Sequence, residues 1–99
     1  MKGIVSVIGR DKKGIIAKVS TALFDMGINI ENISQSIMQE YFAMIMAVDM
    51  CESSFDFNEI SEKLIEVGKN NGVEIHIQLQ SIFDAMHQVS TNVNSTPNS

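Results

Sequence analysis

The apolar residues of this chain change their spacing several times, and the order of those changes leaves few folds open. Ile4-Val5-Ser6-Val7-Ile8 is β-branched, apolar on both faces and closed by Gly9, which predicts a first, interior strand. From Gly14 the period becomes helical. Ile15, Val19, Leu23 and Met26 recur on one stripe with Ala22, and Gly27 supplies the stop. Ile28-Asn29-Ile30 restarts alternation, and Glu31-Asn32 shifts its phase so that Ile33 and Ile37 take over the apolar positions, as a bulge does. The run from Tyr41 to Met50 predicts a third strand, with Phe42, Met44, Met46 and Val48 on one face and Ala43, Ile45 and Ala47 on the other.

Asp56 with Glu59 forms the signature of a capping box, and Phe57, Ile60, Leu64 and Val67 are the stripe of a second helix that Asn70-Asn71-Gly72 ends. Val73, Ile75, Ile77 and Leu79 alternate with Glu74, His76, Gln78 and Gln80, the pattern of a strand with one face in water. Ser81 can cap a short helix carrying Ile82, Phe83 and Met86. The order β-α-β-β-α-β is that of the α/β (α+β) ferredoxin-like sandwich: a four-stranded antiparallel sheet in order 4-1-3-2 with two helices on one face. The domain is expected over residues 1–87. Residues 88–99 are polar, contain Pro97 and lack periodicity, which predicts a disordered tail.

In that topology the first and third strands carry apolar groups on both sides, so a lone copy exposes a patch expected to consist of Met and Ile. The second strand is also left as a bare edge. Both features predict a two-fold homodimer. A formal charge of −5 opposes nucleic acid and anionic membrane as partners. The lone Cys51 fits a reducing compartment, and the short apolar start is no signal peptide, so a cytoplasmic location is expected.

The segment Gly9-Arg10-Asp11-Lys12-Lys13-Gly14-Ile15, answered at the far end of the helix by Met26-Gly27-Ile28-Asn29-Ile30, resembles the ACT domain family. The resemblance runs from Lys2 to about His87. It is closest to stand-alone ACT proteins similar to the glycine cleavage system regulator. It implies a regulatory module, without catalytic activity, that binds an amino acid or similar small molecule where domains meet and biases a protein partner in amino-acid metabolism. Carried over by position, the ligand touches Arg10, Asp11, Gly14 and Ile15 in the loop and Asn29 and Ile30 at the strand start.

Elementary chemistry agrees with such a loop. Free N–H groups and the dipole at a helix start favour a carboxylate, Gly14 permits close approach, and Arg10, Lys12 and Lys13 add positive potential. Asp11 can take an ammonium group or cap the helix. Asn29 lies at the other end of that helix, roughly 18 Å away at ~1.5 Å per residue, so one small ligand reaches both only across two antiparallel copies. The plain alternatives are a turn and cap at Asp11 and Gly14, and backbone satisfaction by Asn29.

Other chemistries find less support. His76 and His87 have no carboxylate or thiol at ligand spacing, so neither metal nor cofactor is expected, and Cys51 has no neighbour that stabilises a thiolate. Met38, Met44, Met46 and Met50 are expected to fill the core or an interface. Arg10 and Asn29 superficially match the residue types of an acylphosphatase, but the helix between them keeps them apart. An RNA-recognition surface needs aromatics on the central strands, and only Tyr41 and Phe42 are offered. A ligand-free dimerisation and protein-interaction module is the remaining competitor.

Overall fold

The structure, a computed structural model, describes residues 1–10, 13–82, 84 and 85. Asp11, Lys12, Phe83, Met86, His87 and the tail expected over 88–99 lie outside the described residues. The elements are β1 (Lys2–Gly9), α1 (Ile15–Asp25), β2 (Asn29–Met38), β3 (Tyr41–Asp49), α2 (Phe57–Asn71) and β4 (Glu74–Leu79). They form a four-stranded sheet in order β2-β3-β1-β4 with every neighbour antiparallel, the arrangement expected from the sequence.

β1 sets the register for the rest. Val5 lies opposite Met46 and Ile77, and Val7 opposite Met44 and Ile75, so one face of the sheet is a continuous apolar floor. Ile15, Val19 and Leu23 of α1 and Ile60 and Leu64 of α2 close over that floor. The bulge falls where the phase shift placed it, between Ile30 and Asn32, and it keeps both Ile30 (opposite Val48) and Ile33 (opposite Met46) on the helix-covered face.

Local chemistry fixes the helix ends. Gly14, at φ 74°, is the N-cap of α1 and brings no side-chain oxygen to it. At the other end Gly27 (φ 75°) completes a Schellman turn, its N–H donating to the Phe24 carbonyl and the Ile28 N–H to the Leu23 carbonyl, both at 2.9 Å. α2 opens with the capping box: the Glu59 N–H donates to Asp56 Oδ1 at 2.8 Å, and the Asp56 N–H to Glu59 Oε1 at 2.9 Å. Where Ser81 was expected to cap a short helix, the helical turn already begins at Gln80, so Ser81 lies inside it.

Among the described residues, two apolar surfaces have no covering element. The sheet face opposite the helices carries Ile4, Ser6 and Ile8 from β1 and Ala43, Ile45 and Ala47 from β3, with Ile8 and Ile45 exposed. Methionine was expected to share this patch: Met38, opposite Tyr41 and 73% exposed, does lie on this face, but the methionines of β3 do not. Met44 and Met46 turn to the helix side and are fully buried, because the register with Val7 and Val5 assigns them to the core face. The second surface is the flank formed by α1 and β2. Ile33 and Ile37 point to the helix side yet stay exposed, and Ile16 and Phe24 lie on the flank of α1 turned away from α2, with Phe24 79% exposed. Among the described residues no helix is long and apolar enough to cross a membrane.

Gly68 lets α2 approach β4: a Cβ there would sit 2.6 Å from the Val73 carbonyl oxygen and 3.2 Å from Ile75 Cγ1. Gly68→Ala gains about 1 kcal/mol of helix propensity but loses ~1–3 kcal/mol to overpacking. The expected outcome is a net drop in the urea midpoint, whereas Gly72→Ala, with open space at its Cβ but φ 69°, loses stability through backbone strain alone.

After β3, Asp49 Oδ1 accepts the Cys51 N–H at 3.0 Å, and this bond holds the Asp49 carboxyl below the usual range. A lowered native value contributes stability above the unfolded carboxylate value, about 3.9, and the contribution is lost as pH falls through the native one. Asp49→Asn therefore flattens the acid limb of a stability-against-pH curve below about pH 4 while leaving its slope near neutrality unchanged.

Candidate ligand site

The expected site residues divide into two groups at opposite ends of α1. At one end β1 runs out into Arg10, which is exposed. Its Nη2 donates to the Tyr41 hydroxyl at 3.2 Å, and its guanidinium carbon lies 5.3 Å from the Tyr41 ring centroid. Tyr41 thus stacks beside and hydrogen-bonds the arginine, a pairing that fixes a long side chain at the mouth of the loop. From the sequence alone Tyr41 is a strand start and one of two aromatics weighed for base stacking, not a partner of Arg10. The signal was present in the ladder, because Gly9 opposite Phe42 sets Arg10 beside Tyr41 in an antiparallel pair.

Gly14 follows, and among the described residues nothing lies within 4 Å of the position a Cβ would take. The first turn of α1 carries no acidic residue, which leaves the positive end of the helix dipole without a neutralising carboxylate from α1 itself. Ile15 is 3% exposed and belongs to the core, so its backbone N–H and not its side chain faces the loop region. Asp11 lies outside the described residues.

At the other end Asn29 is exposed at the start of β2, directly opposite Asp49. It lines a small cavity of about 160 Å³ with Gly27, Asp49, Cys51 and Glu52. Ile30 is half-buried against the core and contributes shape to the strand start. Asp49 and Glu52 were not foreseen as neighbours, although pairing of the second and third strands from their shared turn brings Asn29 to Asp49. The Cys51 thiol is pushed up by its hydrogen bond to Asp49 and by that carboxylate's charge, so it is neutral at pH 7 and a poor nucleophile. Lys2 Nζ pairs with the Glu31 carboxylate at 2.8 Å near this end, and that pair raises the lysine.

The two groups differ in electrostatic character. The loop end offers Arg10 and a helix start, suited to an anion, and the Asn29 end offers an amide beside two carboxylates, suited to a cation. Eleven residues of α1, ~16 Å at 1.5 Å per residue, hold them apart within one chain. Among the described residues no cluster of His, Cys, Asp and Glu could hold a metal ion.

An ACT domain family profile matches residues 3–68. A UPF0237 protein of Clostridium acetobutylicum is 53% identical over 89 residues, 90% of this chain and all of its own length. One of Streptococcus mutans is 43% identical over the same shares. Among solved structures, an ACT domain protein from Streptococcus pneumoniae superposes with a TM-score of 0.76 at 38% identity, covering 84% of this chain and 93% of that one. The ligand-free regulatory subunit of aspartate kinase from Thermus thermophilus superposes with a TM-score of 0.59 at 28% identity, covering 78% of this chain and 50% of that one. Profile, sequence and superposition agree over the segment that holds both ends of α1, and the chain belongs to the ACT domain family.

Proposed function

We propose that the protein is a cytoplasmic, non-enzymatic regulatory module that binds a free amino acid at two equivalent sites between the protomers of a homodimer, and biases a protein partner in amino-acid metabolism. The observation that carries this reading is the split of an anion-suited and a cation-suited element to opposite ends of one helix, beside an edge strand with an uncovered apolar flank. Two copies joined antiparallel along β2 by a two-fold axis bring the Arg10–Gly14 end of one beside the Asn29 end of the other. Ile33, Ile37, Ile16 and Phe24 are the side chains that such a contact covers. An α-amino acid has the matching polarity: its carboxylate suits Arg10 and the first-turn N–H groups, and its ammonium suits Asn29 with Asp49. Asp11, Gly14, Ile15 and Ile30 complete the proposed set, with Ile15 acting through its backbone and Ile30 through shape. Membership of the family and likeness to the regulatory subunit of aspartate kinase support the regulatory role.

A panel of the amino acids in a thermal-shift assay tests this. A ligand that binds only the native dimer at a hundredfold excess over its Kd adds about 2.7 kcal/mol of apparent stability. At least one amino acid is expected to raise Tm, and Asn29→Ala and Arg10→Ala to reduce that rise with little change in the unliganded Tm. Both side chains are exposed, so neither substitution opens a core cavity. No shift with any amino acid would leave a ligand-free dimerisation module, and a monomer at micromolar concentration would remove the site altogether.

A further inference from the structure

The sheet face opposite the helices has a relief that fits itself. Across the β1–β3 ladder Ile4 stands beside Ala47, Ser6 beside Ile45, and Ile8 beside Ala43. Each rung therefore pairs one large side chain with one small one, and the large member alternates between strands. The result is a zigzag of three isoleucine knobs with Ala47, Ser6 and Ala43 as the intervening hollows. A second copy related by a two-fold axis that runs midway between the two sheets, perpendicular to the strands and between the Ser6/Ile45 and Ile8/Ala43 rungs, sets its Ile45 over Ala43 and its Ile8 over Ser6 at the ~10 Å spacing of packed sheets.

Charge does not call for a different occupant. The ionisable groups bordering the strip are engaged within the chain: Lys2 with Glu31, Glu74 with His76, and Arg10 with Tyr41. Such a strip offers neither the free basic row that an acidic peptide would need nor an acidic row for a basic one.

We infer that this face is a second self-association surface, through which two edge-paired dimers stack sheet to sheet into a tetramer. The inference rests on the edge-paired dimer proposed above. Area decides the order of assembly. Four strands ~4.8 Å apart, at about 3.3 Å per residue over some seven residues, give one copy a face of roughly 450 Å² in projection. That falls short of the ~800 Å² per partner typical of a stable interface. A sheet continued across β2 into a second copy presents twice as much, and Ser34 and Ser36, on the same face as Ile45 and Ala43, are small enough to let the stacked sheets approach across the join. Edge pairing therefore comes first and stacking follows from it.

Sedimentation velocity of the full chain from micromolar to millimolar concentration tests this, with Ile45→Glu and Ile33→Glu as probes. Both positions are exposed, and circular dichroism verifies the fold of each variant; Ile45→Lys serves as a second probe should Ile45→Glu misfold. The expected result is a dimer that becomes a tetramer as concentration rises, with Ile45→Glu arrested as a dimer and Ile33→Glu losing both states. A wild-type dimer with no tetramer, broken by Ile33→Glu and indifferent to Ile45→Glu, overturns the stacking and leaves the edge dimer standing, with the face given to residues 86–99 or to a foreign protein. A dimer broken by Ile45→Glu and indifferent to Ile33→Glu keeps the face as a self-pairing surface but removes the edge dimer and its ligand site. A wild-type monomer throughout overturns both.

Discussion

The double ladder of β1 is the interaction on which the other elements depend. Its inward residues Val5 and Val7 have no solvent exposure, and they set the register of β3 on one side and β4 on the other. Since side chains alternate with a period of two, a slip of one residue in either ladder would turn Met44 and Met46, or Ile75 and Ile77, out of the core. Such a slip would also move Arg10 away from Tyr41. The geometry of the loop is therefore an outcome of packing some distance away, and the chain carries its candidate anion-binding end on the most firmly held strand.

α1 has a different part. Its inner stripe belongs to the core, its ends carry the two halves of the candidate site, and one flank faces α2 while the other lies beside β2. The Schellman turn at Gly27 terminates it sharply and delivers the chain into Asn29 after a single intervening residue. Helix length thus sets the separation of the two chemistries. A single protomer offers each only half of what a zwitterion requires.

Much of this could be read from residues alone, and the reasons are local. Asp56 and Glu59 announce a capping box whose geometry is found, and the phase change at Glu31-Asn32 announces a bulge that is found, because both depend on neighbours in sequence. Sheet order followed from the succession of elements. The partners of Arg10 and Asn29 were missed, since Tyr41 and Asp49 reach them across strand pairings, and register must be applied residue by residue before such neighbours emerge. The share of methionine on the open face was only partly legible, for a related reason: Met38 lies there, but the methionines of β3 do not. Both faces of β3 are apolar, and only the ladder with β1 decides that the methionines go inward while Ile45 stays outside. Asp11 lies outside the described residues.

The bond from the Cys51 amide to Asp49 has a chemical consequence for the corner it occupies. The chain's one sulfhydryl lies on the surface, where alkylating and oxidising agents can reach it, but those reagents attack the ionised form. A carboxylate two residues upstream suppresses that form, so accessibility alone does not make the sulfur reactive. At the mouth of the Asn29 cavity the sulfur is therefore held toward its less reactive, protonated form.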